Sequence, residues 1–360
     1  MADRERNHHI PRFLLKRFAS RQMDGKSWIF QIDKSGKIAE PSTRHVAVAS
    51  YFYGDPGTGV EDMLGEEERA FSEILKTITD GADPNSLAQD LQKHLWQMII
   101  RTKAIRDQFA DAGAELFSQV IESIDSPDIT AALTVYAREN YNSIIETEIE
   151  KLPLARQSTA RAFMTMPAVK EAAIKNIARE MPRNMAFLKQ ALSESKLGKL
   201  LDSVKDGQIK GIKKVLTETI VPETFRPKSW FLIRSNSEDI ILGDVCAFGR
   251  DQTGKCGPFI QFGEKWDQLY LPISRNEVLA ASNSDAPIFM HPSDINIISA
   301  RLSVRYIYSA VNTPNTQALA PMIGIDAKII STNEISAIVS EGMNGLIANP
   351  SRFIEQNAKA

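Results

Sequence analysis

Hydrophobic and polar positions divide the chain into three textures. In residues 27–33, Trp28, Phe30 and Ile32 alternate with other neighbours at the period of a strand, and Lys34-Ser35-Gly36 supplies turn chemistry before Lys37-Ile38-Ala39. This pattern predicts a β-hairpin. A second extended stretch, 45–53, runs into the breaker Gly54-Asp55-Pro56-Gly57. Helical periodicity then takes over. Leu64, Phe71, Leu75 and Ile78 share one stripe, and Ser86 with Gln89 forms a capping box before a periodic run that reaches Phe117. Further helices are expected over 127–150, 156–180 and 183–220, interrupted at Pro153, Pro167 and Pro182.

After Pro222 the texture changes again. Residues 229–234, 239–248, 258–262 and 268–273 are short apolar or aromatic runs separated by Gly, Asn and Asp, the mark of a small sheet. A last helical pattern spans 293–310, with Ser293 as its cap. The order predicts an α+β fold, with an N-terminal hairpin and a small antiparallel or mixed C-terminal sheet around a large helical layer. Four stretches follow: 1–60 with a His-His motif and the hairpin, a helical region 61–221, a sheet plus helix 222–310 completing the same domain, and a C-terminal extension 311–360.

Composition narrows the picture only slightly. At 360 residues, with 43 Lys+Arg against 45 Asp+Glu, the chain can bury a sizeable core and carries no overall field that would advertise nucleic acid or a membrane. Cys246 and Cys256 are the two cysteines, and their spacing fits neither a zinc knuckle nor a thioredoxin-like motif. No run of about 18 apolar residues occurs, and the charged N-terminus does not read as a secretory peptide. A protein of the reducing cytoplasm, with no membrane partner, is expected.

Four places resist a purely architectural reading. Pro11 is suited to a helix start, which puts His8 and His9 at or before a helix N-terminus, where neutral imidazoles can accept a proton or ligate a metal; an ordinary polar lead-in is the alternative. Glu68 interrupts the stripe between Leu64 and Phe71, unless Glu66, Glu67 and Glu68 form a solvated first turn. Arg101 shares a helical face with His94, Met98 and Ile105, and a guanidinium drawn into an apolar face requires a carboxylate or a bound anion. Glu68 is the carboxylate expected to meet it. Asp244 closes the apolar run Ile240-Ile241-Leu242-Gly243, either as a cation ligand or as a turn residue.

These places also carry a resemblance. The string His8-His9-Ile10-Pro11-Arg12-Phe13-Leu14-Leu15-Lys16-Arg17-Phe18 is similar to the N-terminal signature of the bacterial family catalogued as domain of unknown function 4238. Trp28-Ile29-Phe30, Tyr51-Phe52-Tyr53, the helix with Glu61, Leu64 and Glu68, and Arg101-Thr102 with Arg106 nearby extend the likeness. So do Gly243-Asp244-Val245, Leu271-Pro272-Ile273-Ser274 and Asn296, so that it covers residues 7–310. Lys103 stands where the family often has proline, and the proline after the Asp244 position is absent. The resemblance implies positions for a site and no reaction.

Chemistry alone suggests a hydrolase acting on a phosphate-containing substrate or nucleic acid. In it His8, His9, Glu68 and Arg101 are catalytic, and His8, His9 and Asp244 are ligands to a divalent metal. A non-catalytic module that holds an anion with the same cluster is the second reading, and a structural protein with no ligand the third. The chain lacks the His-Glu-x-x-His, phosphate-loop, dinucleotide and Gly-x-Ser-x-Gly motifs.

Overall fold

A computed structural model describes residues 6–54, 59–195, 197–218, 221–223, 225–259, 265–284 and 287–348. Residues 55–57 of the Gly-Pro breaker, 260–262 of the run begun at Pro258, and 349–360 of the C-terminal extension lie outside them.

The elements are, in chain order, β1 (Arg6–His8), α1 (Arg12–Arg17), β2 (Arg21–Met23), β3 (Lys26–Trp28), β4 (Phe30–Asp33), β5 (Ile38–Ala39), β6 (Val48–Ser50), α2 (Val60–Thr79), α3 (Ala88–Ile100) and α4 (Lys103–Ser123). There follow α5 (Pro127–Glu139), α6 (Tyr141–Glu150), α7 (Leu154–Met164), α8 (Pro167–Ser195), α9 (Leu197–Glu218), β7 (Ser229–Arg234), β8 (Leu242–Gly243), β9 (Phe248–Asp251) and β10 (Cys256–Pro258). The last are β11 (Trp266–Ser274), β12 (Glu277–Ser282), α10 (Pro292–Leu302), β13 (Tyr306–Ser309), α11 (Pro314–Gln317) and α12 (Thr332–Ala348). The class is α+β, and every strand pair is antiparallel.

The chain divides into two compact units, Met1–Asp111 with Asp202–Ile330, and Ala112–Leu201 with Ser331–Ala360. The first contains all the sheets. One has the order β10-β9-β11-β12-β7, and another, β5-β4-β13-β8, joins the N-terminal hairpin to two C-terminal strands. Its core gathers Leu14 and Leu15 of α1 and Phe18 just after it with Phe71 and Leu75 of α2, Leu91 and Leu95 of α3, and Leu271 and Leu279 of the larger sheet. The expected stripe on α2 is buried as read, at Leu64, Phe71, Leu75 and Ile78. The second unit is helical. There α5 packs on α8 and on α12, and Ser126 caps α5 ahead of Pro127.

Several boundaries differ from the sequence reading: α3 begins after Leu87 without the Ser86 capping box, His291 and not Ser293 caps α10, and Pro182 lies inside α8 without ending it. The expected continuous helix to Phe117 breaks at Arg101-Thr102, where the Thr102 hydroxyl accepts the Ile105 N–H and starts α4. Lys103 is thus the first residue of α4, a position that readily takes proline. The pattern over 293–310 is helical only to Leu302. Beyond it Tyr306, Ile307 and Tyr308 are aromatic and β-branched, and they pair with β4 as a strand instead.

Candidate functional site

The signature around His8 is first a piece of architecture. β1 pairs with β6, the His9 N–H donates to the Ala47 carbonyl, and Asn7 bridges the Phe52 N–H and the Glu61 carboxylate. Pro11 precedes α1, whose Leu14 and Leu15 are buried. Arg17 locks the helix down: its Nε donates to the Ile273 carbonyl at 2.7 Å, and its Nη2 donates to Thr79 Oγ1 at 2.7 Å and to Glu277 at 3.3 Å. Sequence reasoning passed over Arg17, which sits beside Lys16 and looks like a solvated charge.

Arg101, Glu68 and the chain at His8 meet. At the C-terminal end of α3 the buried Arg101 donates from Nη2 to Glu68 at 2.5 Å and to the His8 carbonyl at 3.1 Å, and from Nε to the Tyr53 hydroxyl at 3.1 Å. Tyr53 in turn donates to the same His8 carbonyl at 2.9 Å. Burial opposes the Arg101 charge, but Tyr53 and Glu68 outweigh it and hold its pKa above the ordinary arginine value. The imidazole of His8 turns elsewhere, its Nε2 donating to the Thr43 carbonyl at 3.2 Å. Burial keeps that ring below the usual histidine range, against the pull of Thr43 and Glu68.

His9 opens onto different ground. It lines a cavity of about 380 Å³ together with Lys103, Asp107, Asp244, Arg305 and Tyr308. The ring is 7 % exposed, its Nδ1 has no hydrogen-bond partner, and it lies 5.6 Å from the Phe52 ring. Burial first, and then the cations Lys103, Arg101 and Arg106, pull its pKa down to about 3, so the ring is neutral near pH 7. Lys103 contacts Asp107 at 2.5 Å, and Arg305 contacts the same carboxylate at 3.3 Å. Ala47, also on the cavity wall, holds φ at 52°, a left-handed conformation that costs a non-glycine residue energy.

Asp244 reaches the cavity with its carboxylate already engaged. It accepts the N–H groups of Val304, Arg305 and Tyr306 at 2.8, 2.7 and 3.0 Å, and so fixes the turn from α10 into β13. Burial raises its carboxyl to about 6, against the three backbone donors. Gly243 before it is required by close approach: a Cβ there would stand 2.6 Å from Ser303 Oγ and 2.8 Å from the Ser299 carbonyl.

Among the described residues no group of three or more His, Cys, Asp or Glu side chains could hold a metal ion. His8, His9 and Asp244 thus do not assemble as a ligand set, since His8 serves Thr43 and Asp244 serves the 304–306 amides. The sequence brought Glu68 to Arg101 correctly in expectation and in fact. It gave no signal for Lys103, Asp107 and Arg305, whose spacing reads as ordinary surface charge.

The geometry around His8-His9, Pro11 and Arg101 coincides with a match, over residues 6–349, to the family described as protein of unknown function (DUF4238). The chain belongs to the DUF4238 family. No curated protein and no solved structure matches it. In this DUF4238 chain the signature supplies a short helix, the end of a short strand and their anchors, and it brings one imidazole to a polar cavity. No helix among the described residues is long and apolar enough to cross a membrane.

Proposed function

We propose that the chain binds a small phosphate-bearing ligand in the cavity at His9. The observation that carries this reading is that two cations, Lys103 and Arg305, share the single Asp107 carboxylate beside a buried imidazole whose Nδ1 is unpartnered. A guanidinium and an ammonium that share the Asp107 carboxylate attract a further anion, most strongly below about pH 6 where the Asp244 carboxyl on the same cavity takes up its proton, and an unpaired imidazole nitrogen in a buried wall invites a hydrogen bond. A ligand anion would also favour the protonated ring, opposing the burial that keeps His9 neutral.

The test is calorimetric titration with inorganic phosphate and with a nucleoside monophosphate at pH 6 and 7. Binding should be tighter at the lower pH and should weaken about tenfold or more in Lys103→Met and in Arg305→Met. Absence of binding, or an affinity in both variants equal to that of the parent chain, would remove the reading.

A hydrolase is the second reading, favoured by the juxtaposition of a neutral His9 and an Asp244 carboxyl raised to about 6 around one cavity. Groups whose pKa values are displaced in opposite senses recur at acid–base centres. Phosphate esters, including an oligonucleotide, are the substrates to screen. Turnover lost in His9→Ala, with phosphate binding retained, distinguishes catalysis from simple capture.

A further inference from the structure

Arg106, near Arg101, acts on His9 only through its charge and does not line the cavity just described. Its Nη2 donates to the Phe52 carbonyl at 2.7 Å, its Nε donates to Gln208 Oε1, and its guanidinium lies 3.6 Å from the centre of the Phe52 ring. All three partners are neutral. Among the described residues no carboxylate pairs with it, and neighbouring Asp107 is taken by Lys103 and Arg305. Burial lowers its pKa to about 10, against the more distant influence of Tyr53 and Asp107. A half-buried cation with only neutral partners is an incomplete arrangement.

Arg106 and Gln208 stand at the wall of a second cavity of about 420 Å³ between α3, α4 and α9. The remaining walls are apolar, with Trp96, Ile100, Ile105 and Phe109 on one side and Val204, Ile212 and Val215 on the other. Phe109 is half-exposed at the rim of the cavity. The α9 residues at 204, 208, 211, 212 and 215 recur at helical spacing, so the cavity follows one stripe of the helix for about 16 Å at 1.5 Å per residue. At Gly211 the wall is open, since an added Cβ would meet nothing within 4 Å.

We infer that this trough binds a linear amphipathic anion, a medium-chain fatty carboxylate, with the alkyl chain along α9 and the carboxylate on Arg106. Length and apolar walls fit an extended chain, and the guanidinium without an acidic partner fits its head. The volume lies within the ~300–1,000 Å³ usual for small-molecule sites. A neutral apolar ligand would leave the cation as it stands, whereas a carboxylate would complete it.

The probe is sodium decanoate, followed by titration calorimetry on the full chain, with octanoate and 1-decanol beside it. Saturable one-to-one binding of decanoate is expected, with octanoate about tenfold weaker, as two buried methylenes require. The alcohol should bind at least tenfold more weakly than the acid. Gly211→Trp fills the open part of the trough without touching Arg106 and should abolish binding while leaving the melting temperature in place. Arg106→Gln should erase the preference for acid over alcohol. Should that variant fail to fold because the Phe52 carbonyl loses its donor, the acid-to-alcohol ratio and Gly211→Trp still decide the matter. No saturable binding of decanoate, equal affinity for 1-decanol, or full binding by folded Gly211→Trp each overturns the inference.

Discussion

Arg101 recognises the backbone of His8 and not its ring: Nη2 lies 3.1 Å from the His8 carbonyl, while the imidazole donates to Thr43. Position 8 can therefore change its side chain without releasing the arginine, but position 101 cannot change without unpairing several groups at once. Arg101→Ala should destabilise by about 3–5 kcal/mol and His8→Ala by under about 1 kcal/mol. Glu68 is partly solvated, so Glu68→Ala should cost less than Arg101→Ala. The Glu68→Ala, Arg101→Ala double variant should fall clearly short of the sum in urea unfolding, and strict additivity would show that the two do not interact.

The His9 ring makes stability depend on pH with a definite sign. From its ordinary 6.5 down to about 3 the unfolded imidazole holds a proton that the folded one rejects, so acid favours unfolding in that window. The ring's contribution amounts to about 1.4 kcal/mol per pH unit, or about 2 kcal/mol between pH 6.5 and 5. Asp244 acts in reverse between 3.8 and about 6, where the folded carboxyl keeps a proton that the unfolded one releases, so its contribution to stability falls as pH rises. In His9→Gln the acid loss should shrink and the opposite trend of Asp244 should emerge. Urea midpoints at pH 5 and 7 measure this, and a pH dependence identical to the parent chain would contradict a buried neutral imidazole.

Asp244→Ala leaves three backbone donors to find new partners, at a cost of about 2–4 kcal/mol. Amide hydrogen exchange should show Val304, Arg305 and Tyr306 losing protection ahead of the β4–β13 pairing. Uniform loss throughout the unit would mean that the turn has no separate stability.

Gly243→Ala drives a methyl group into the Ser299 carbonyl, which belongs to the backbone of α10 and cannot swing away. A loss of about 1–3 kcal/mol is expected. Gly211→Ala, in open space on α9, should instead be neutral or gain up to about 1 kcal/mol from helix propensity. Thermal unfolding of the two alanine variants side by side checks the contrast.

What could be read from the chain was local. A short apolar run between turn residues gave β7 at Ser229–Arg234, and the α2 stripe was right because the period of a helix decides its own buried face. Arg101 and Glu68 were legible as a pair because a guanidinium on an apolar face carries its own demand for a partner. The cavity was not legible. Lys103, Asp107 and Arg305 look like any surface charges until β13 brings residue 305 to α4, and that meeting depends on tertiary pairing that no periodicity records. Asp244 showed itself as an anomaly, but its use, three amides some 60 residues away, is a property of the closed fold.

Arg17 and Glu277 are separated by 260 residues, and β4, paired locally with β5, finds its second partner only in Tyr306–Ser309. On a ribosome, the first hairpin and α1 thus emerge long before the strands they need, with Leu14, Leu15 and Phe18 exposed in the meantime. The Ala112–Leu201 stretch of the second unit is made during that interval. Such distant pairings slow closure and lengthen exposure of unsatisfied apolar surface, so the early segment is the part of the newborn chain most in need of a chaperone.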